Sequence, residues 1–123
     1  MALEIRSPQT TEEWENYYSL RYAILRKPLG QPEGSEKNDG DKDGIHIALF
    51  EDGIIRAIAR LDVSEPKIAQ VRFVATDSSS RKKGFGKMIM LEAEQISKER
   101  GDKKLILQAR ENAVDFYLSL PCM

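Results

Sequence analysis

The sequence predicts a mixed α/β (α+β) domain, with an antiparallel meander and a parallel strand pair in one sheet and helices on both faces. Three observations predict it. Apolar residues alternate with period two in three consecutive segments separated by turn residues. Two longer segments, around Trp14 and Met88, carry apolar residues at helical spacing instead. The second lies between two strand-like segments, and a strand–helix–strand crossover in one sheet is right-handed and leaves its strands parallel.

Leu3 and Ile5 alternate with Glu4 and Arg6, which predicts a first strand closed by Pro8. Thr10 followed by Glu13 is a capping-box pattern, and a helix is expected from about Thr11 to Arg26. Its apolar face is Trp14, Tyr17, Leu20, Ile24 and Leu25. From Pro28 to Gly44 glycine, proline, lysine and acidic residues dominate, so a long mobile loop is expected, disordered or functional across Glu33 to Asp43.

Strands are expected at Ile45–Phe50, Ile54–Asp62 and Ile68–Thr76. Asp52-Gly53 and Ser64 to Pro66 supply the turns. Strict alternation places Ile55, Ala57, Ala59 and Leu61 on one face, and Val71, Phe73 and Ala75 together on one face. Gly84 to Arg100 reads as a helix with Phe85, Met88, Ile89, Ala93 and Ile96 inward, stopped by Gly101. A strand at Lys104–Ala109 follows, then a short helix from Glu111 to Leu118.

With 123 residues the chain is expected to be a single domain, 1–123. Its net charge of −1 gives no general attraction to nucleic acid or anionic lipid, so neither nucleic-acid nor membrane partners are expected. No run of about 18 apolar residues is present. One cysteine, Cys122, and one histidine, His46, leave no disulfide or metal cluster to build, so no metal is expected. The first residues lack the basic region and apolar core of a signal peptide, and a cytoplasmic protein is expected. His46 reads as structural or surface rather than as a base, and Cys122 is an improbable nucleophile.

The chemistry concentrates between Val74 and Lys87. A strand delivers the chain to a basic turn with two glycines, where a helix begins. Helix-initial amides lack intrahelical partners and sit at the positive end of the dipole. Glycine leaves room for a ligand beside them. Converging amides of that kind bind phosphate. Arg81, Lys82, Lys83 and Lys87 add four cations. Met88 after Gly86-Lys87 departs from a Walker loop, and Ile89 stands where a Rossmann turn wants its third glycine. Nucleotide triphosphates and dinucleotides therefore fit less well than another pyrophosphate.

Arg81-Lys82-Lys83-Gly84-Phe85-Gly86 resembles the Gln/Arg-x-x-Gly-x-Gly/Ala motif of the GNAT superfamily of N-acyltransferases, whose turn holds the pyrophosphate of coenzyme A. The element order from Leu3 to Leu118 is similar to that fold. Asn112-Ala113-Val114-Asp115-Phe116-Tyr117 resembles a second family motif, in which the asparagine contacts the pantetheine arm and the tyrosine protonates the leaving thiolate. The stretch from Leu20-Arg21 to Gly30-Gln31-Pro32 looks like the acceptor-side helix and loop of one bacterial branch.

The resemblance implies acetyl-CoA as acyl donor and direct transfer to a primary amine of a small molecule or peptide. It implies cofactor contacts at Phe73, Val74, Ala75, Arg81, Lys82, Lys83, Gly84, Phe85, Gly86, Lys87, Asn112 and Phe116, and a catalytic acid at Tyr117. In the family, the strand of Phe73–Ala75 and the strand of Leu105–Ala109 splay apart around pantetheine. Arg72 is open between an exposed position and the acceptor cleft. By the same resemblance the chain lacks the last two strands, leaving Leu105–Ala109 an uncovered edge through which a homodimer would form. The alternative is a non-catalytic coenzyme A-binding or protein-interaction module.

Overall fold

The computed structural model describes residues 2–108 and 113–117. Its elements are β1 (Leu3–Arg6), α1 (Thr11–Leu25), β2 (Ile45–Glu51), β3 (Ile54–Glu65), β4 (Ile68–Thr76), α2 (Phe85–Glu99), β5 (Lys104–Gln108) and β6 (Ala113–Tyr117). The strands form one sheet in chain order, antiparallel throughout except for the parallel pair β4 and β5 that α2 connects.

Local chemistry sets the boundaries. Thr10 Oγ1 accepts from the Glu13 amide at 3.1 Å while the Glu13 carboxylate accepts from Thr10 and Gln9 amides, so the capping box forms. Arg6 grips the same carboxylate with two hydrogen bonds of 2.9 Å, tying β1 to the start of α1. This holds Glu13 well below the usual carboxylate range, at about 2. Asp52 and Gly53 take φ of 52° and 84°, the doubly left-handed turn that matches strand twist. Gly101, at φ 83°, ends α2.

The sheet is covered on both sides. On one side Phe85, Ile89 and Ala93 of α2 pack with Ile47, Leu49, Ala57, Ala59, Leu61, Val71 and Leu105. On the other, Tyr17 of α1 packs with Ala48, Phe50, Ile55, Ile58 and Ala75. Burying each large apolar side chain contributes roughly 1.5–3 kcal/mol, which holds the layers together.

Two breaks in register correct the alternation expected from the sequence. Leu49 pairs with Ala57 but Phe50 pairs with Ile55, so Arg56 is an extra residue in β3 and Ile55 turns to the α1 side. Likewise Ile58 pairs with Ala75 and Arg60 with Arg72, so β4 carries an extra residue. Val71 therefore faces α2 while Ala75 faces α1.

Three further expectations are corrected. Within the helix expected at Glu111–Leu118, the described residues Ala113–Tyr117 form the strand β6. Val114, Phe116 and Tyr117 suit a strand, and a short apolar run does not distinguish the two states by periodicity. Because β6 pairs with all of Lys104–Gln108, the edge of β5 is covered rather than open. Nor is the segment from Glu33 to Asp43 a loose loop. It turns through a short 3-10 helix, Asp39–Lys42, and is bolted to α1 and the sheet by buried side chains described below. Among the described residues, no helix is long and apolar enough to cross a membrane.

Candidate functional site

The pairing of β4 with β5 runs from Ile68 opposite Lys104 to Val71 opposite Leu107 and then stops. The cause lies in β4 itself. Its extra residue falls between Arg72 and Ala75, where Phe73 takes a φ of 55°, a left-handed conformation that is costly for an aromatic side chain. The bulge bends the strand away from β5. Among the described residues, the backbone groups of Arg72 to Val74 that would face β5 have no strand partner there, and backbone groups without a strand partner seek another one.

A cavity of about 780 Å³ opens at the parting. Leu25, Arg26 and Leu29 close one side, Arg72, Phe73 and Val74 the second, and Gly86, Lys87, Met90 and Leu107 the third. Sequence pattern left Arg72 undecided, and the structure puts it on the cavity wall.

The basic turn sits at the mouth of this cavity. Residues Ser78–Lys83 make a 3-10 helix, and Gly84, at φ 76°, joins it to α2. Only glycine adopts that φ without strain. The first intrahelical bond runs from the Met88 amide to the Gly84 carbonyl at 3.1 Å, so the amides of Phe85, Gly86 and Lys87 precede the bonded ladder. A Cβ at Gly84 would meet nothing within 4 Å, and one at Gly86 only Thr76 Oγ1 at 3.4 Å. The space before the helix is open, as a diphosphate held by amides requires.

The expected cofactor residues divide. Phe73, Val74, Gly86 and Lys87 line the cavity. Gly84 shapes the turn. The ring of Phe85 is 3% exposed and belongs to the α2-side core, and Ala75 belongs to the α1-side core, so neither side chain reaches the cavity. Arg81 and Lys82 lie on the 3-10 helix. Lys83 Nζ stands 3.4 Å from both oxygens of Glu51, a carboxylate that also pairs with Arg56. Asn112 lies outside the described residues.

Phe116 and Tyr117 are on β6, opposite Leu105 and Lys104. Lys104 is level with Ile68, three residues before Val71 opposite Leu107, where the strands part. That is roughly 10 Å along a strand. Tyr117, expected on a short helix, lies on a strand instead.

Beneath Phe73 lies a network that sequence reasoning missed. Arg21 is 0% and Arg60 1% exposed. Both donate to Asp41 Oδ1, at 2.9 and 2.8 Å. Arg60 also makes a two-pronged contact with Asp62, at 2.8 and 2.7 Å, and reaches Asn38 Oδ1 at 2.6 Å. Their guanidinium carbons lie 4.5 and 4.8 Å from the Phe73 ring centroid, with Arg72 at 5.0 Å. Burial pushes the Asp41 carboxyl up, but the Asn38 amide and the two arginines outweigh it and hold it below the usual range. One available signal was topological. A residue between Ile58 and Asp62 of a central strand, covered on both faces, is buried whatever its charge.

His46 completes the network. Its Nε2 donates to the Asp41 carbonyl and its Nδ1 accepts from the Tyr17 hydroxyl, each at 2.8 Å. Burial, reinforced by Arg21, lowers its affinity for a proton. The histidine is structural, as its sequence context indicated.

A family model described as the acetyltransferase (GNAT) family matches residues 3–120. The chain belongs to that family. Solved structures agree on the fold of this GNAT domain. An acyl-CoA N-acyltransferase from Pseudomonas aeruginosa superposes with a TM-score of 0.72 at 22% identity, covering 89% of this chain and 79% of the other. The PaiA N-acetyltransferase of Thermoplasma acidophilum, solved with coenzyme A, gives 0.70 at 21% identity, covering 91% and 82%. The ribosomal-protein-S18-alanine N-acetyltransferase of Escherichia coli gives 0.67 at 18% identity, covering 90% and 69%. Family membership implies acyl transfer from coenzyme A to an acceptor. In this GNAT domain the bulge of β4 and the glycine turn face one cavity.

Proposed function

We propose that the chain is an acetyl-CoA-dependent N-acetyltransferase that acylates a primary amine by direct transfer. The observation that carries this reading is the convergence of two backbone features on one cavity, the parted strands at Phe73 and the open helix start at Gly84–Lys87. Family membership supports the donor. When bound, acetyl-CoA supplies an activated thioester carbonyl.

The chain's own residues divide the work. The amides of Phe85, Gly86 and Lys87 hold the diphosphate at the positive end of α2, and Lys87 adds charge beside it. The backbone of Arg72–Val74, which has no β5 partner among the described residues, pairs with the pantetheine amides and polarises the thioester oxygen. A neutral amine forms the new C–N bond as the C–S bond breaks. The amine nitrogen gives up a proton and the departing sulfur takes one. The register of β6 does not favour Tyr117 as the donor of that proton.

Calorimetry with acetyl-CoA followed by thiol release over an amine panel tests the reading. Binding by the native chain, its loss in Gly84→Glu, and thiol release with at least one primary amine are expected. Undiminished affinity of Gly84→Glu refutes the diphosphate placement. Binding with no thiol release on any amine gives the non-catalytic module instead.

A further inference from the structure

A second cleft, of about 560 Å³, shares no residue with the first. Trp14, Tyr18 and Tyr22, one turn apart on α1, form one wall, and Glu33, Glu36 and Lys37 form the other. Trp14 and Tyr18 stack with centroids 6.0 Å apart. The Tyr22 hydroxyl donates to the Gln31 carbonyl at 3.0 Å, which fixes the far wall to the helix.

Two observations define what this cleft recognises. Glu36 is 7% exposed, yet among the described residues its carboxylate has a single hydrogen bond, from the Gly34 amide at 2.7 Å, and no ion pair. Its other oxygen has no partner among the described residues and is open to the cleft, where a carboxylate with little water around it favours a counter-charge. Arg21, the nearest buried cation, donates to the Glu36 carbonyl rather than its carboxylate and has Asp41 as its own counter-ion. The second observation is Lys37. Its ammonium sits 4.8 Å from the Tyr18 ring centroid. The aromatic wall thus already receives an alkylammonium, the chain's own.

We propose that this cleft binds an alkylammonium group, with Glu36 and Glu33 as counter-ions and the Tyr18 and Trp14 rings packed against its charged head. Lys37 holds the place in the unliganded protein and is displaced. The site does not depend on acyl transfer. It is nonetheless one side chain from the first cleft, because the Arg21 guanidinium carbon lies 5.0 Å from the Tyr18 ring and 4.5 Å from the Phe73 ring.

Trp14 is the single tryptophan and lines the cleft, so its fluorescence reports occupancy. The full chain, without acetyl-CoA and at low salt, is titrated with pentane-1,5-diamine and, as neutral control, pentane-1,5-diol. A saturable change with the diamine alone is expected. Glu36→Gln should weaken it about tenfold. Glu33→Gln, at an exposed position, should weaken it several-fold and keeps the test open if the Glu36 variant does not fold. Lys37→Met, which removes the internal competitor, should tighten it several-fold.

An equal response to the diol overturns the proposal. So does native affinity in both glutamate variants, or a Lys37→Met protein that binds no more tightly. With acetyl-CoA added, a diamine that is consumed, with a KM but not a kcat raised by Glu33→Gln, is the acceptor holding its second ammonium here. A diamine that binds but is not consumed is a separate ligand of the same site.

Discussion

Arg60 Nη1 donates to Asp41 Oδ1 at 2.8 Å, joining the middle of β3 to the segment that follows α1. This contact turns a glycine- and acid-rich segment into a fixed wall. It also places a guanidinium against Phe73, the residue whose left-handed backbone parts β4 from β5.

Asp41→Asn should therefore destabilise the domain by roughly 3 kcal/mol, because it leaves Arg21 buried with no carboxylate. Urea unfolding measures this, and a loss below about 1 kcal/mol would show that the network is not a structural bolt.

Two glycine substitutions should separate packing from ligand space. A Cβ at Gly44 would lie 2.6 Å from Asp62 Oδ1 and 2.7 Å from Arg60 Cγ and Cδ. Gly44→Ala should cost about 2 kcal/mol by overpacking. Gly84→Ala meets no atom, so only its left-handed φ is penalised, by about 1 kcal/mol. It should still weaken acetyl-CoA, since the methyl group enters the open space. Equal stability loss at both positions, or equal acetyl-CoA affinity, would contradict this division.

Stability should fall on mild acidification through His46. Burial lowers its folded-state pKa below the ordinary 6.5, so the unfolded chain binds the proton first. The contribution is complete above about pH 6.5 and is lost as pH falls through the lowered folded value. Thermal melts between pH 7.5 and 5 should show the decline, and His46→Gln should flatten that part of the profile. An unchanged slope in the variant assigns the pH dependence elsewhere.

Tyr117 is paired opposite Lys104, away from the parting of the strands. Tyr117→Phe should leave turnover within about threefold of the native rate. A fall of a hundredfold or so, with acetyl-CoA affinity intact, is the signature of a general acid and would return that role to Tyr117.

The candidate site was partly legible. Gly84 and Gly86 between a strand and an apolar-periodic helix announce a phosphate turn, because chain direction and backbone freedom are local properties. The part played by Phe73 was legible only through the family resemblance, since nothing local marks it as the bulged residue. Ile55 and Ala75 were assigned to the wrong faces for the same reason, as one inserted residue reverses every side chain beyond it.

By itself the sequence determined the order of strands and helices from β1 to β5, the capped start of α1, the tight turn at Asp52-Gly53 and the glycine-opened start of α2. Each depends on residues within a few positions of one another. The tertiary structure alone decided the fates of Arg21, Asp41 and Arg60, the parting of β4 from β5, and the strand state of Ala113–Tyr117. These depend on partners distant in the chain. A buried charge keeps its counter-ion and an open strand edge finds its mate only after the layers have met.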